Sequence, residues 1–232
     1  MKNRIFVLDV SVLKDKEHFD NAYRAQRPER RERVDRMRFE NGKRLVLGAG
    51  IVMEAALAYA GCQDQEIIIT PEGKPTVKGC FFNISDTDEM AVCAVSNREV
   101  GIDIERFGRE LNDAVIRKAF TPNEIDMVRM PDGNHVPDTP EELRTSGTDN
   151  DRFIRLWTIK ESVMKWYGLG LSLMPEHIEI RIADGVYHIA ITDHPELAPQ
   201  AERLHFSTYT QGNYCITVCS EYERFADGIT EM

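Results

Sequence analysis

The stretch Arg152–Ser172, RFIRLWTIKESVMKWYGLGLS, constrains this chain more than any other. Its spacing predicts one helix, with Asp151 as a candidate N-cap and Gly168 and Gly170 following its last aromatic residues. Phe153, Leu156, Trp157, Met164 and Tyr167 share one face, while Ile154, Val163 and Trp166 lie on others. A helix that is apolar nearly all round is usually a buried one. Yet this one carries Lys160, Glu161 and Lys165. Glu161 and Lys165 stand four apart and project from the same face. Charge on a buried helix is costly unless it is paired or bound to an ion. Taken alone, the helix admits an ordinary i,i+4 ion pair on a half-exposed face; a functional reading needs partners from elsewhere in the chain.

A chain of 232 residues has room for one large domain or two small ones with a sizeable core. Its first apolar run, Ile5–Leu8, is cut by Asp9, so neither a signal peptide nor a membrane span is expected. The five cysteines, Cys62, Cys80, Cys93, Cys215 and Cys219, are odd in number and form no CxxC. That argues against a disulfide framework or a zinc site and for a reducing, cytoplasmic setting. The histidines are scattered, so a metal should be held by oxygen. The net charge of −10 is uneven: residues 1–50 hold 13 Lys and Arg against 8 Asp and Glu, and the rest hold 16 against 31. The basic excess peaks in PERRERVDRMRFENGKR, Pro28–Arg44. This is either a solvated helix face laced with acids or a site for a polyanionic small molecule. Nucleic acid is not expected, because the remaining surface would repel it.

Along the chain, Ile5–Val10 reads as a strand and Lys16–Arg38 as helical, with Pro28 interrupting it or starting a second helix. Arg44–Ala60 reads as a core helix ended by Gly61. Glu66–Thr70, Phe81–Ser85, Met90–Ser96 and Val100–Glu105 read as strands. Leu111–Ala119 and Pro122–Met130 follow as helices, the second opened by a Thr121/Glu124 capping box. Residues 131–149 read as a long mobile loop. After the central helix come His177–Ile182, Val186–Ile191, Leu204–Thr210 and Tyr214–Ser220, in two hairpins. AVCAVS, Ala91–Ser96, is echoed by CITVCS, Cys215–Ser220. The fold class expected is α+β, built from two similar halves that face each other, each with helices packed on a small antiparallel sheet.

In GIDIE, Gly101–Glu105, the carboxylates of Asp103 and Glu105 are two apart and share one face of a strand, while Ile102 and Ile104 point into a core. Alone, this is also what a solvated strand face looks like. Adding Glu161 from the buried helix gives three hard oxygen ligands, which suit Mg²⁺. Lys165 can then stabilise charge on a phosphoryl group. A Mg²⁺-dependent enzyme acting on a phosphate or pyrophosphate is the unaided reading, and a phosphatase or nucleotidyl enzyme fits equally well at this level.

GKP (Gly73–Pro75), FNIS (Phe82–Ser85), GIDIE, FTPNE (Phe120–Glu124) and LWTIKESVMK with GLGLSL (Leu156–Leu173) occur in this order. Together they resemble the Sfp-type 4′-phosphopantetheinyl transferases over essentially the whole chain. The resemblance implies a pseudodimer with its active site between the halves, 1–100 carrying the coenzyme A-binding basic residues and 101–232 the metal ligands and catalytic helix. It implies transfer of the phosphopantetheine arm of coenzyme A to a serine of an acyl or peptidyl carrier protein, releasing 3′,5′-ADP. Asp103, Glu105 and Glu161 match the metal ligands, Glu161 is a candidate acceptor for the serine proton, and Lys165 matches the lysine that supports the pyrophosphate or leaving group. Arg30, Arg33, Arg44 and Lys74 fall where the family places basic groups around coenzyme A, and Ser85 would hydrogen-bond a phosphate oxygen. One departure stands out: the family has histidine where this chain has Asp86. That residue would repel the donor, sit on the metal side, or cap a turn. A homologue that binds coenzyme A or a carrier without catalysis is the alternative of a different class. The internal duplication is compatible with a monomer.

Overall fold

The computed structural model describes residues 1–109, 112–129, 140–145 and 147–232. In chain order it contains β1 (Arg4–Asp9), α1 (Lys16–Ala25), α2 (Pro28–Asp35), α3 (Glu40–Ala60), β2 (Ile68–Ile69), β3 (Pro75–Thr76), β4 (Phe81–Thr87), β5 (Met90–Ser96) and β6 (Val100–Arg106). It continues with α4 (Asp113–Ala119), α5 (Pro122–Val128), α6 (Glu141–Arg144), α7 (Asp149–Tyr167), β7 (Ile178–Ala183), β8 (Val186–Ile191), α8 (Ala198–Ala201), β9 (His205–Gln211), β10 (Tyr214–Ser220) and β11 (Ile229–Glu231). The class is α+β.

Period-two alternation builds the layers. One sheet has the order β11-β1-β5-β4 and another β6-β10-β9. On the first sheet, Phe6, Leu8, Ala91, Cys93 and Val95 face α3 and pack on its Leu47, Val52, Ala56 and Leu57. Their neighbours Ile5, Val7, Val92 and Ala94 point the other way and meet Ile102, Ile104, Ile216 and Val218 of the second sheet. The far side of that second sheet carries α7. Thr158 of α7 is hydrogen-bonded to Thr217 of β10 at 2.7 Å. At Gly101 of β6 a Cβ would collide with Ser162 O and Trp166 N of α7, so only glycine lets helix and strand touch there.

The opposite face of α7 explains why this helix is apolar nearly all round. Phe153, Leu156, Ile159 and Val163 join Phe120, Val128, Leu173, Ile178 and Ile180 in a separate core. Lys160 is fully buried within it. Its ammonium donates to Glu124 Oε2 at 2.9 Å, to Ala119 O at 2.6 Å and to Pro175 O at 3.1 Å. Glu124 closes the capping box with Thr121 and also accepts from Ile180 N at 2.7 Å. A buried charge with all its donors satisfied is the arrangement that desolvation demands.

Some boundaries differ from the sequence reading. The N-cap of α7 is Thr148, whose side chain accepts from Asp151 N at 3.1 Å, and Asp151 Oδ1 accepts instead from Gly108 N at 3.0 Å. The C-terminal stop at Gly168 holds, with φ of 65°. Of the expected loop 131–149, residues 131–139 and 146 lie outside the described residues, while 140–145 contain α6 with Leu143 buried. Strand β4 runs on to Thr87, so Asp86 lies within it rather than after it. Strand β11 had no sequence signal; it pairs parallel with β1, Ile5 opposite Ile229, and carries the end of the chain back to the first sheet. The echoed segments are β5 and β10, each an inner strand of its sheet.

Candidate active site

Strands β4 and β6 lie side by side and are joined by side chains. Asn83 Oδ1 accepts from Ile102 N at 3.0 Å, Ser85 Oγ donates to Asp103 Oδ1 at 2.9 Å, and Thr87 Oγ1 donates to Glu105 Oε2 at 3.3 Å. Residues 83, 85 and 87 share one strand face, which is why they form successive rungs. Asp103 and Glu105 share the face of β6 toward α7, as the D-x-E spacing requires.

Lys165 reaches across from α7. Its Nζ donates to Asp103 Oδ1 at 2.6 Å and to Ser85 Oγ at 2.7 Å. Lys165 is thus bonded to Asp103, and the i,i+4 pair with Glu161 does not form. Ser85 spends its own proton on Asp103. Glu161 is half-buried and makes no hydrogen bond or ion pair among the described residues. Burial pushes its carboxyl up to about 7, with Asp103 and Glu105 adding to the rise and Lys165 opposing it. Glu105 is raised as well, by burial and then by Asp103, against Arg109, which donates to it at 3.1 Å.

Three mutually repelling carboxylates fit a hard divalent cation by donor chemistry. The Oδ2 atom of Asp103 supports the fit, because it is buried and has no hydrogen-bond partner. The shell is not closed in this conformation: among the described residues no three His, Cys, Asp or Glu stand in metal-holding geometry.

A cavity of about 520 Å³ lies beside this cluster, lined by Arg27, Arg30, Arg33, Met53, Ile67 and Gly73 among others. Arg27 is committed to Glu54 at 2.7 Å and to backbone carbonyls. Arg30 is not. It is only 9% exposed, yet its guanidinium reaches just Val46 O at 3.4 Å and Met53 Sδ at 3.7 Å, with no carboxylate. Burial, and then the charge of Arg33, push it down to about 10. A buried arginine without an acid is an anion site in waiting. Arg33 is exposed at the same cavity. A second cavity, of about 400 Å³, is lined by Lys74, Asn83, Glu161, Met164 and Lys165 among others and shares Gly73 and Pro75 with the first. The two cavities therefore meet at the Gly73–Pro75 loop, which walls both.

The remaining expected site residues lie differently. Arg44 is in the first turns of α3, its Nη2 donating to Asn41 at 3.3 Å and its buried Nε without a partner; it lines neither cavity. Lys74 is committed to Glu99 and to backbone carbonyls of α7. Asp86 points to the opposite face of β4 from Ser85 and keeps solvent contact. The surrounding protein raises its carboxyl, while Lys165, Arg30 and Arg33 pull it down. Its side chain makes no hydrogen bond among the described residues, and the β4–β5 turn contains Asp88, at φ of 47°. The cap reading therefore gives way to a carboxylate set among basic groups. Sequence reasoning missed Asn83 and Thr87; their signal was the period of two running on either side of Ser85.

The chain matches the model of the 4′-phosphopantetheinyl transferase superfamily over residues 99–219. A 4′-phosphopantetheinyl transferase of Bacillus subtilis is 30% identical over 219 residues, 90% of this chain and 88% of that one. The 4′-phosphopantetheinyl transferase Sfp of Bacillus subtilis (strain 168) is 26% identical over 211 residues, covering 88% and 85% respectively. HetI, a 4′-phosphopantetheinyl transferase of Nostoc sp., is 30% identical over 162 residues, covering 65% and 62%.

Proposed function

Since the chain belongs to the 4′-phosphopantetheinyl transferase superfamily, we propose that its groove takes coenzyme A and passes the phosphopantetheine arm to a serine of an acyl or peptidyl carrier protein. The enzyme is a transferase of that class. The observation that carries the reading is that two cavities, one holding Arg30 and Arg33 and the other Glu161 and Lys165, share the wall formed by Gly73 and Pro75. One cavity offers Arg30, a buried cation with no salt-bridged acid among the described residues; the other offers Glu161, a carboxyl raised by burial. A donor with phosphate at one end and a reacting pyrophosphate further along suits that order.

In this reading Arg30 and Arg33 hold the non-reacting phosphate of coenzyme A, while Arg44 lines neither cavity. The serine Oγ bonds to the phosphorus that carries the pantetheine arm. The bond from that phosphorus to the bridging oxygen breaks, and its electron pair leaves on 3′,5′-ADP. The serine proton passes to Glu161, directly or through water. Lys165 supports charge on the leaving group from its seat between Ser85 and Asp103. Asp103, Glu105 and Glu161 would hold Mg²⁺, which neutralises pyrophosphate charge when bound. Asp86, among Arg30, Arg33 and Lys165, tempers the positive field that the donor meets.

The duplicated arrangement supports the pseudodimer reading. In each of the halves 1–100 and 101–232 a long helix, α3 or α7, lies on an inner strand of the echoed pair. A single chain holds all of the groove, so a monomer suffices. Among the described residues no helix is long and apolar enough to cross a membrane. A cytoplasmic site of action agrees with the free, buried cysteines.

The test is intact mass of an apo carrier protein incubated with the enzyme, coenzyme A and Mg²⁺. A phosphopantetheine adduct on the carrier is expected. Carrier binding with no adduct would make the chain a non-catalytic homologue, and phosphate release with no adduct would make it a hydrolase.

A further inference from the structure

The Gly73–Pro75 loop does more than wall the groove. Lys74 Nζ donates to Lys165 O at 2.8 Å and to Trp166 O at 3.2 Å, and it pairs with Glu99 Oε1 at 2.6 Å. These carbonyls are among the last four of α7, which have no partner within the helix. The aliphatic stem of Lys74 crosses Gly168, where an added Cβ would come within 2.8 Å of Lys74 Cδ. Gly168 is thus needed both for its left-handed φ and for the close approach. Glu99 fastens the same corner from β6: its Oε1 accepts from Val100 N at 3.3 Å, and its carbonyl accepts from Trp166 Nε1 at 3.1 Å. Lys74, Glu99 and the last turn of α7 form one knot, and Lys165 is a residue of that turn.

We propose that Lys74 is a positioning residue that acts through Lys165, rather than a ligand of the donor. Three protein groups meet its ammonium and take up its three protons. Two are carbonyls of the turn that aims Lys165 at Asp103 and Ser85, and the third is the carboxylate that neutralises the lysine. Its side chain lines the cavity beside Glu161 and Lys165 but is largely enclosed, at 12% exposure, with its ammonium turned to Glu99 and the end of α7. A positive group at a helix C-terminus is also favoured by the helix dipole. With Lys74 removed, the last turn of α7 loses its clamp and Lys165 loses its fixed seat. The proposal rests on the transferase reading, so its test has one readout that needs no turnover.

That readout is the ¹⁵Nζ resonance of Lys165, assigned by its loss in Lys165→Met. It is expected to shift or broaden in both Lys74→Met and Glu99→Gln, although neither change touches the Lys165 ammonium. In carrier modification, both variants should lower kcat about tenfold, as misplacing a catalytic group does. KM for coenzyme A should stay within about twofold of wild type. The double variant Lys74→Met/Lys165→Met should turn over no more slowly than Lys165→Met alone, because the first residue acts through the second. Thermal melting identifies any variant that fails to fold, and Glu99→Gln, which leaves the lysine and both carbonyls in place, is the milder of the two. An unmoved Lys165 resonance overturns the proposal. So does a large rise in KM with kcat kept, which would make Lys74 a donor ligand, and so does an additive double variant. A wild-type enzyme that forms no adduct defeats the transferase reading instead, while the resonance still decides the role of Lys74.

Discussion

Glu161 shows how an active site can cost the fold stability. The ordinary value for its carboxyl is 4.5, and burial raises it to about 7. A folded-state value above the unfolded one means that the folded protein binds more protons between these limits, so the contribution of Glu161 to stability falls as pH rises from about 4.5 to about 7. Glutamine imitates the protonated acid. Glu161→Gln should therefore stabilise the metal-free protein at pH 8 by about 1–2 kcal/mol, discounted for the solvent that still reaches the group, and change little at pH 5. The same variant should lose most transfer, by about 10²–10³. Melting curves at the two pH values check the first half; equal shifts at both would show that the carboxyl is not held near neutrality. Arg30 poses the converse case, a buried cation with no acid. Arg30→Leu should raise KM for coenzyme A about tenfold or more and alter kcat much less, because it holds a part of the donor that does not react. It should change the melting temperature little, since Arg30 forms no ion pair among the described residues and its bonds to Val46 O and Met53 Sδ are long. A loss of stability with KM intact would make Arg30 a packing residue.

At the scale of elements, α7 is the hub. One side rests on β6 and β10, and the other closes a separate core with α5 and β7. Two devices hold it in place, the glycine contact at Gly101 and the buried Lys160–Glu124 pair. Glu124→Ala would leave the Lys160 ammonium buried without an acid and would open the Thr121 capping box and the bond from Ile180 N. The expected loss is about 3–5 kcal/mol, read as a lower denaturation midpoint. Glu124→Gln should lose less, because the amide can still accept from Ile180 N. If both cost under about 1 kcal/mol, the pair is not what holds α5 to α7. Much of this level was legible in the sequence. The capping box at Thr121 and Glu124, the glycine stops at Gly61 and Gly168, and the alternation of GIDIE are local signals, and local geometry fulfils them. The N-cap of α7 was misassigned because Asp151 is a good cap by type, but its carboxylate is drawn to Gly108 N, 43 residues away.

Across the whole molecule, the first sheet lies between α3 and the second sheet, so both of its faces are covered, and β11 brings the end of the chain back to it. All five cysteines are free and buried in this arrangement. Burial raises the Cys80 thiol to about 12 and lifts Cys93, Cys215 and Cys219 as well. The folded protein should therefore resist alkylation at pH 8, with thiols appearing only as the chain unfolds in denaturant. Rapid labelling of a thiol under native conditions would show that these layers open locally. By itself the sequence determined the longer helices and strands, the α+β class, the acid pair of β6 and the charged face of α7, because each depends on the period of one segment and on residues close to it; the short β3, α6, α8 and β11 carried no such period. It also determined which residue types were available for phosphate chemistry. Only the tertiary structure decided which charges meet. Lys165 pairs with Asp103 and not with Glu161 four residues away; Lys74 lines the groove yet spends its ammonium on Glu99 and the end of α7; Asp86 sits among Arg30, Arg33 and Lys165; and Arg30 is left without a salt-bridged acid among the described residues. These outcomes depend on desolvation and on distances between segments far apart in the chain, quantities that no local spacing encodes.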